Sequence, residues 1–316
     1  MNKKVDAQKV TIVAGPCSVN EENIQQLYTI ADIEVHNRSG LLQKAIWGIR
    51  TVGLKSRSSM NTTGEGMGFD FLNYMHNAKH VVENASFEGL KTTRSIEIAK
   101  KLVEDTGVVV ATEIMDPIVQ LPVYQREIPR GKLLIWNPAV NQLGFQMYAM
   151  GIYAERNNWF IGIKNGKWLG SAPEDQFNIM EKNWAGQISF ATEDGHFDLK
   201  DRIAMIQRGV DIVGKGGFRN LPVHSSAEKV KAKTGAKMFF DPSHSYGPVL
   251  RDQIVEATIK GMQMTMSDGS YLYDGILIEV GDSTTDTGQH VTIDELQTIC
   301  AEVAKFRDLN VDREVL

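Results

Sequence analysis

The chain has 316 residues, 42% hydrophobic and 23% charged, with a net charge of −5. That composition fits a globular fold with one large core or two ordinary ones, and it excludes the global basic field that nucleic acid or an anionic membrane would call for. The opening MNKKVDAQKV lacks the apolar stretch of a secretory signal, no run approaches the roughly 18 apolar residues of a membrane span, and two distant cysteines make no disulfide framework, so a reducing cytoplasm is expected.

Apolar runs of strand length recur along the chain. In order they are VTIVAG (10–15), AIWGI with TVGL (45–54), VVVATEI (108–114), KLLIWN (132–137), WFIGIK (159–164), VDIVGK (210–215), KMFFD (237–241) and GILIEV (275–280). They are continuous rather than alternating, as in strands buried on both faces of a parallel sheet. Helical periodicity falls between them in TRSIEIAKKLVEDTG, LGFQMYAMGIYAERN, LKDRIAMIQRG and RDQIVEATIKGM, with Gly107 and Arg208-Gly209 as stop signals. Eight βα units predict a (βα)8 or TIM barrel, one domain over 1–316 with no separate regulatory domain. Two segments exceed a minimal barrel: residues 60–90 predict an extended loop after the second strand, and QISFATEDGHFDL (187–199) predicts a small hairpin insertion before the sixth. Cys300, in ELQTICAEVAKF, reads as a helix core residue.

Barrel chemistry gathers at the carboxyl ends of the strands. The first strand delivers Cys17, the second Arg50, Lys55 and Arg57, and the third Glu113. Lys164 follows the fifth, Lys215 the sixth, Asp241 and His244 the seventh, and Glu279 the eighth, with Asp282 and Asp286 just beyond. One thiol, one imidazole and several carboxylates suit a divalent Mn, Fe, Co or Zn ion. The cations are the expected lining for anionic substrates. Taken singly, each has a plainer reading as a structural thiol, a turn or a solvated charge; only the joint pattern at one end of one barrel points to chemistry.

Those residues make the chain resemble the type I 3-deoxy-D-arabino-heptulosonate 7-phosphate (DAHP) synthases and, more distantly, the 3-deoxy-D-manno-octulosonate 8-phosphate (KDO8P) synthases. The resemblance runs from about Thr11 to Lys305 and rests on AGPCSV (14–19), RTVGLKSRSS (50–59), TEIMD (112–116), IKNG (163–166), DPSH (241–244) and IEV followed by D-x-x-Q (278–289). It implies a metal-dependent barrel enzyme that condenses phosphoenolpyruvate with erythrose 4-phosphate and releases phosphate, the first step of the shikimate pathway to the aromatic amino acids. By the same resemblance, Cys17, His244, Glu279 and Asp286 are the metal ligands, Asp286 being preferred to Asp282 because Gln289 follows three residues later. Arg50, Lys55 and Lys164 match positions that bind phosphoenolpyruvate, and Lys164 also matches a lysine that donates or relays protons. Arg57 and Ser58 match the pair that grips the phosphorylated aldose, and Glu113 matches an acidic residue near the phosphoenolpyruvate pocket. Lys55, Lys164 and Glu113 are the catalytic candidates. A homodimer or homotetramer is expected, with the two extra segments as oligomer or effector elements.

Three positions depart from the family pattern. Ser56 replaces a proline; WNPAVNQ (136–142) replaces a segment bearing a phosphate-binding arginine; and Lys215-Gly216 follows the expected sixth strand where Arg-Gly is usual. Lysine lacks the bidentate fork of arginine, so Arg219 and Lys167 become the compensating candidates, with Lys215 and Arg219 read as substrate-binding. Two other readings stay open: condensation of another aldose such as arabinose 5-phosphate, and a barrel that binds a phosphorylated ligand without turnover.

Overall fold

The computed structural model describes residues 8–55, 67–140, 142–169, 176–283 and 287–316. Strand β1 (Thr11–Gly15) leads to helix α1 (Ile24–Ala31), entered through Asn20, whose side chain accepts from the backbone N–H groups of Glu22 and Asn23. An antiparallel hairpin of β2 (Glu34–His36) and β3 (Leu42–Lys44) precedes β4 (Gly48–Arg50). Helices α2 (Phe71–Asn84) and α3 (Arg94–Thr106) follow, then β5 (Val109–Glu113), α4 (Pro117–Glu127), β6 (Leu133–Trp136), α5 (Gly144–Asn157), β7 (Phe160–Lys164) and α6 (Gln176–Ala191). The last third holds β8 (Ile203–Gln207), α7 (His224–Thr234), β9 (Lys237–Phe240), the short α8 (Pro242–Tyr246), α9 (Ile254–Gln263), β10 (Gly275–Glu279) and α10 (Ile293–Ala304).

β1 and β4 to β10 pair in parallel and close a barrel, with β1 between β4 and β10. All residues of these strands except Lys237 are buried, which is why the runs read as continuous. Alternate residues divide between two cores. Val13, Val109, Ala111, Leu134, Trp136, Phe160, Ile206, Phe239 and Leu277 fill the interior. Ile12, Ile49, Val110, Ile135, Ile161, Met205, Phe240 and Ile276 pack outward into the core shared with the helices.

The sixth barrel strand is not VDIVGK but IAMIQ. Residues 210–215 form a turn beyond it, in which Val213 is fully exposed. The spacing of Leu199, Ile203 and Ile206 imitates a helix face, but burial between β7 and β9 holds Ile203–Gln207 extended. The hairpin expected over 187–199 is also absent. Residues 187–191 end α6, whose Trp184 indole donates to the carbonyl of Ile163 at 2.8 Å. A turn follows, with Glu193, Asp194 and Gly195 at positive φ. After the second barrel strand, the extra length includes α2 packed against α4, while residues 56–66 lie outside the described residues.

Candidate active site

The two-residue period of the strands places the polar groups. Continuing the inward set by two positions reaches Arg50, Glu113, Lys164, Arg208, Asp241 and Glu279, all buried at the carboxyl end of the barrel. On β6 the same register sets Trp136 beside Glu113. The Arg50 guanidinium carbon and the Lys164 ammonium lie 5.4 Å and 5.2 Å from its ring centre, so two cations share one aromatic floor.

Gly15 takes φ 144°, and a Cβ there would come within 3.1 Å of Arg50, so glycine lets β1 turn into Pro16-Cys17 against that side chain. Arg50 donates to the Pro16 carbonyl at 3.1 Å and to Glu279 Oε1 at 2.8 Å. Lys55 Nζ is 3.3 Å from the Cys17 carbonyl, and Lys164 Nζ is 3.2 Å from Glu113 Oε1. Asn137 and Asn165 accept from the backbone N–H groups of Lys164 and Arg208 at 2.9 and 2.8 Å, fixing the two neighbouring strand ends. His244 stands on α8 with its Nδ1 2.8 Å from Asp241 Oδ2 and its Nε2 3.7 Å from Glu279 Oε1. Gln289 donates to Glu279 Oε2 and accepts from Arg219.

Burial pushes the Lys164 ammonium down, with Glu113 opposing. For Glu113, burial would raise the carboxyl, but Lys164, Lys55 and His244 outweigh it and hold it below its ordinary value. Burial acts on Glu279 in the same upward sense, yet His244, Arg50, His290 and Lys55 hold it well below the carboxylate range. Desolvation lowers His244 and His290 despite that neighbouring carboxylate. Lys55 is raised: Cys17, Glu113 and Glu279 overcome the downward pull of its burial. Arg208 is pulled down by burial against Asp241.

The structure thus brings Cys17, Arg50, Lys55, Glu113, Lys164, His244 and Glu279 to one end of the barrel. Lys215 lies on the turn past β8, paired with Asp211 and donating to the Arg219 carbonyl at 2.7 Å. Arg219 reaches the margin through Gln289, and Lys167 pairs with Asp211 at 3.6 Å. Arg57, Ser58 and Asp286 lie outside the described residues. Two buried residues at this end escaped the sequence reading. Arg208 was hidden by the misplaced sixth strand; its inward spacing from Ile206 would have found it. His290 carries no local signal.

Cys17, Glu279 and His290 offer ligand atoms within 4.8 Å of one another, all buried. The His290 Nε2 has no hydrogen-bond partner. A sulfur, nitrogen and oxygen donor set with a bare imidazole atom fits a borderline d-block cation and not Mg or Ca. No helix among the described residues is long and apolar enough to cross a membrane.

No family model matches the sequence, and no curated protein matches it. Among solved structures, a phospho-2-dehydro-3-deoxyheptonate aldolase (DAHP synthase) from Thermotoga maritima superposes with a TM-score of 0.67 at 17% identity, covering 96% of this chain and 72% of that one. A truncated form of the 3-deoxy-D-arabino-heptulosonate 7-phosphate synthase from the same organism gives 0.57 at 16%, covering 93% and 85%. At that identity the likeness is one of fold: the chain has a DAHP synthase-like barrel.

Proposed function

We propose that this barrel is a metal-dependent transferase that condenses phosphoenolpyruvate with erythrose 4-phosphate, forming DAHP and phosphate. The observation that carries the reading is the Arg208 guanidinium. It is buried at the strand end, and its Nε and Nη1 have no hydrogen-bond partner, as is also true of Arg50 Nη1. Buried donors of this kind are costly unless a ligand completes them. A small, densely charged anion does so best, because a guanidinium fork matches phosphate and carboxylate oxygens.

Arg50, Lys55 and Arg208 would hold the phosphate and carboxylate of phosphoenolpyruvate over the Trp136 face, which excludes water from one side. Cys17, His244 and Glu279, with Asp286 as the expected further ligand, would hold the metal ion. When bound, that ion supplies Lewis-acid polarisation of the aldehyde oxygen. A carbon–carbon bond forms between the methylene carbon of the enol phosphate and the aldehyde carbon. Water then adds at the former enol carbon, and phosphate leaves. Lys164, hydrogen-bonded to Glu113, would hold or release the proton at the adding water. The cations orient two substrates that repel each other and stabilise charge as it moves. Arg57 and Ser58 remain the proposed grip on the aldose phosphate.

The test measures phosphate release from phosphoenolpyruvate with erythrose 4-phosphate, and in parallel with arabinose 5-phosphate. Each is run after chelation and after Mn, Co or Zn is restored. Release with erythrose 4-phosphate that chelator abolishes and metal restores is the expected result. Release confined to arabinose 5-phosphate would reassign the aldose, and none from any phosphorylated aldose, despite metal binding, would overturn the synthase reading.

A further inference from the structure

The feature that the sequence pattern leaves unexplained is His290. The chain returns to the barrel after Glu279 through a parallel bridge between Val280 and Val291. Gly281 N–H donates to the Val291 carbonyl and Val291 N–H to the Glu279 carbonyl, at 2.9 and 3.0 Å. Thr292 then caps α10 with a reciprocal Glu295 bond. His290 is therefore held from both sides and is only 6% exposed.

Its ring has one settled contact, Nδ1 to the Gly281 carbonyl oxygen at 2.6 Å. A carbonyl only accepts, so Nδ1 carries the proton, and in a neutral ring Nε2 presents a bare lone pair. That lone pair faces Glu279 Oε2 at 3.8 Å and belongs to the compact group with Cys17. His244 mirrors it across the same carboxylate. Its Nδ1 is bonded to Asp241, and its Nε2 lies 3.7 Å from Glu279 Oε1. Two imidazole Nε2 atoms thus approach one anionic carboxylate, and the Cys17 thiol lies within 4.8 Å of the ligand atoms of His290 and Glu279. Electron-rich atoms repel at this spacing unless a cation lies among them. Bonds of about 2.0–2.3 Å in a tetrahedral shell leave ligand atoms about 3.3–3.8 Å apart, which the 3.7 and 3.8 Å between each imidazole and Glu279 approach, while Cys17 joins His290 and Glu279 within 4.8 Å. The partners behind them, Gly281 for His290, Asp241 for His244, and Arg50 and Gln289 for Glu279, are those that orient metal ligands.

We infer that His290 is a direct ligand of the metal ion, so that a second imidazole joins the thiolate, imidazole and carboxylates proposed above. This rests on the metal-dependent reading above and sharpens it. A second imidazole moves the site's preference from Mn(II) toward Zn(II), Co(II) or Fe(II).

X-ray absorption on the zinc-loaded wild-type protein counts the imidazoles bound to the metal. Two are expected, and one would overturn the inference without any variant. Cobalt titration of metal-stripped protein supplies the second readout. His290→Ala should keep the thiolate-to-cobalt charge-transfer band, alter the visible d–d bands and weaken cobalt binding by more than about 100-fold. Removing a residue that only supports a ligand costs roughly 10- to 100-fold. An unchanged affinity and spectrum in a folded His290→Ala protein would overturn the inference. Two imidazoles on the metal without phosphate release would leave this assignment standing and end the synthase reading. One imidazole with phosphate release would end this assignment alone.

Discussion

At the amino end of the barrel the interior is closed by Trp47 and Phe160, packed edge to face at 4.9 Å, with the Trp47 indole donating to the Asp312 carbonyl at 2.8 Å. At the carboxyl end, the inward positions on β4 and β7 are Arg50 and Lys164, both buried and each paired with a carboxylate, with Arg50 Nη1 left without a partner. The barrel therefore holds a satisfied apolar plug below and, above, an ionic layer in which the Arg50 and Arg208 guanidinium groups are incompletely partnered. Taking each ion out of water costs several kcal/mol unless it is well paired, so the lower end must supply stability that the upper end consumes. Substitutions at the two ends should accordingly fail in different assays.

The largest effect is expected below. Trp47→Ala should lower unfolding free energy by about 3–5 kcal/mol, as large-to-small core changes do. Denaturant melts check this, and the protein that remains folded should bind inorganic phosphate as before. Above, Arg208→Ala should weaken phosphoenolpyruvate binding about 100-fold, the scale of a charged hydrogen-bonding donor lost from a buried site. Its unfolding midpoint should hold or rise, because a desolvated guanidinium is gone; a marked fall would blur the distinction between the two ends. Arg208→Lys should recover only part of the binding, since the fork is lost.

A third test uses pH. Glu113 is held below its ordinary value near 4.5. A depressed carboxylate stabilises the fold fully above its unfolded value, and that contribution fades as pH falls through the folded one. Glu113→Gln should therefore flatten the acid limb of the stability curve, whereas Trp47→Phe should lower the curve by the same amount at every pH. The smallest effect is expected at Lys215. Its pair with Asp211 is partly exposed, so Lys215→Ala should change phosphate release by about twofold at most, the equivalent of roughly 0.5 kcal/mol.

The barrel was legible because its strands are buried on both faces and read as unbroken apolar runs. The exception is instructive. IAMIQ is flanked by Leu199 and by Arg208-Gly209, which mimic a helix and its stop signal, while VDIV looks more like a strand than it is. Local pattern could not decide between them; tertiary burial did. That slip moved the expected strand end from Arg208 to Lys215 and made the chain look poorer in arginine than its interior is. That Cys17, His244 and Glu279 gather at one end of the barrel was legible from short motifs at strand ends. His290 was not, because its position depends on a return crossing that pairs Val291 with Val280, a long-range fact with no local trace.

Trp136 has a consequence of its own. An indole whose ring centre lies 5.4 and 5.2 Å from two cationic groups is an emitter whose surroundings change when an anion settles over Arg50 and Lys164. The molecule thus carries a built-in optical gauge of occupancy. Phosphate or phosphoenolpyruvate should shift its intrinsic fluorescence with no label attached, and Trp136→Phe should silence that response while the other four tryptophans keep emitting.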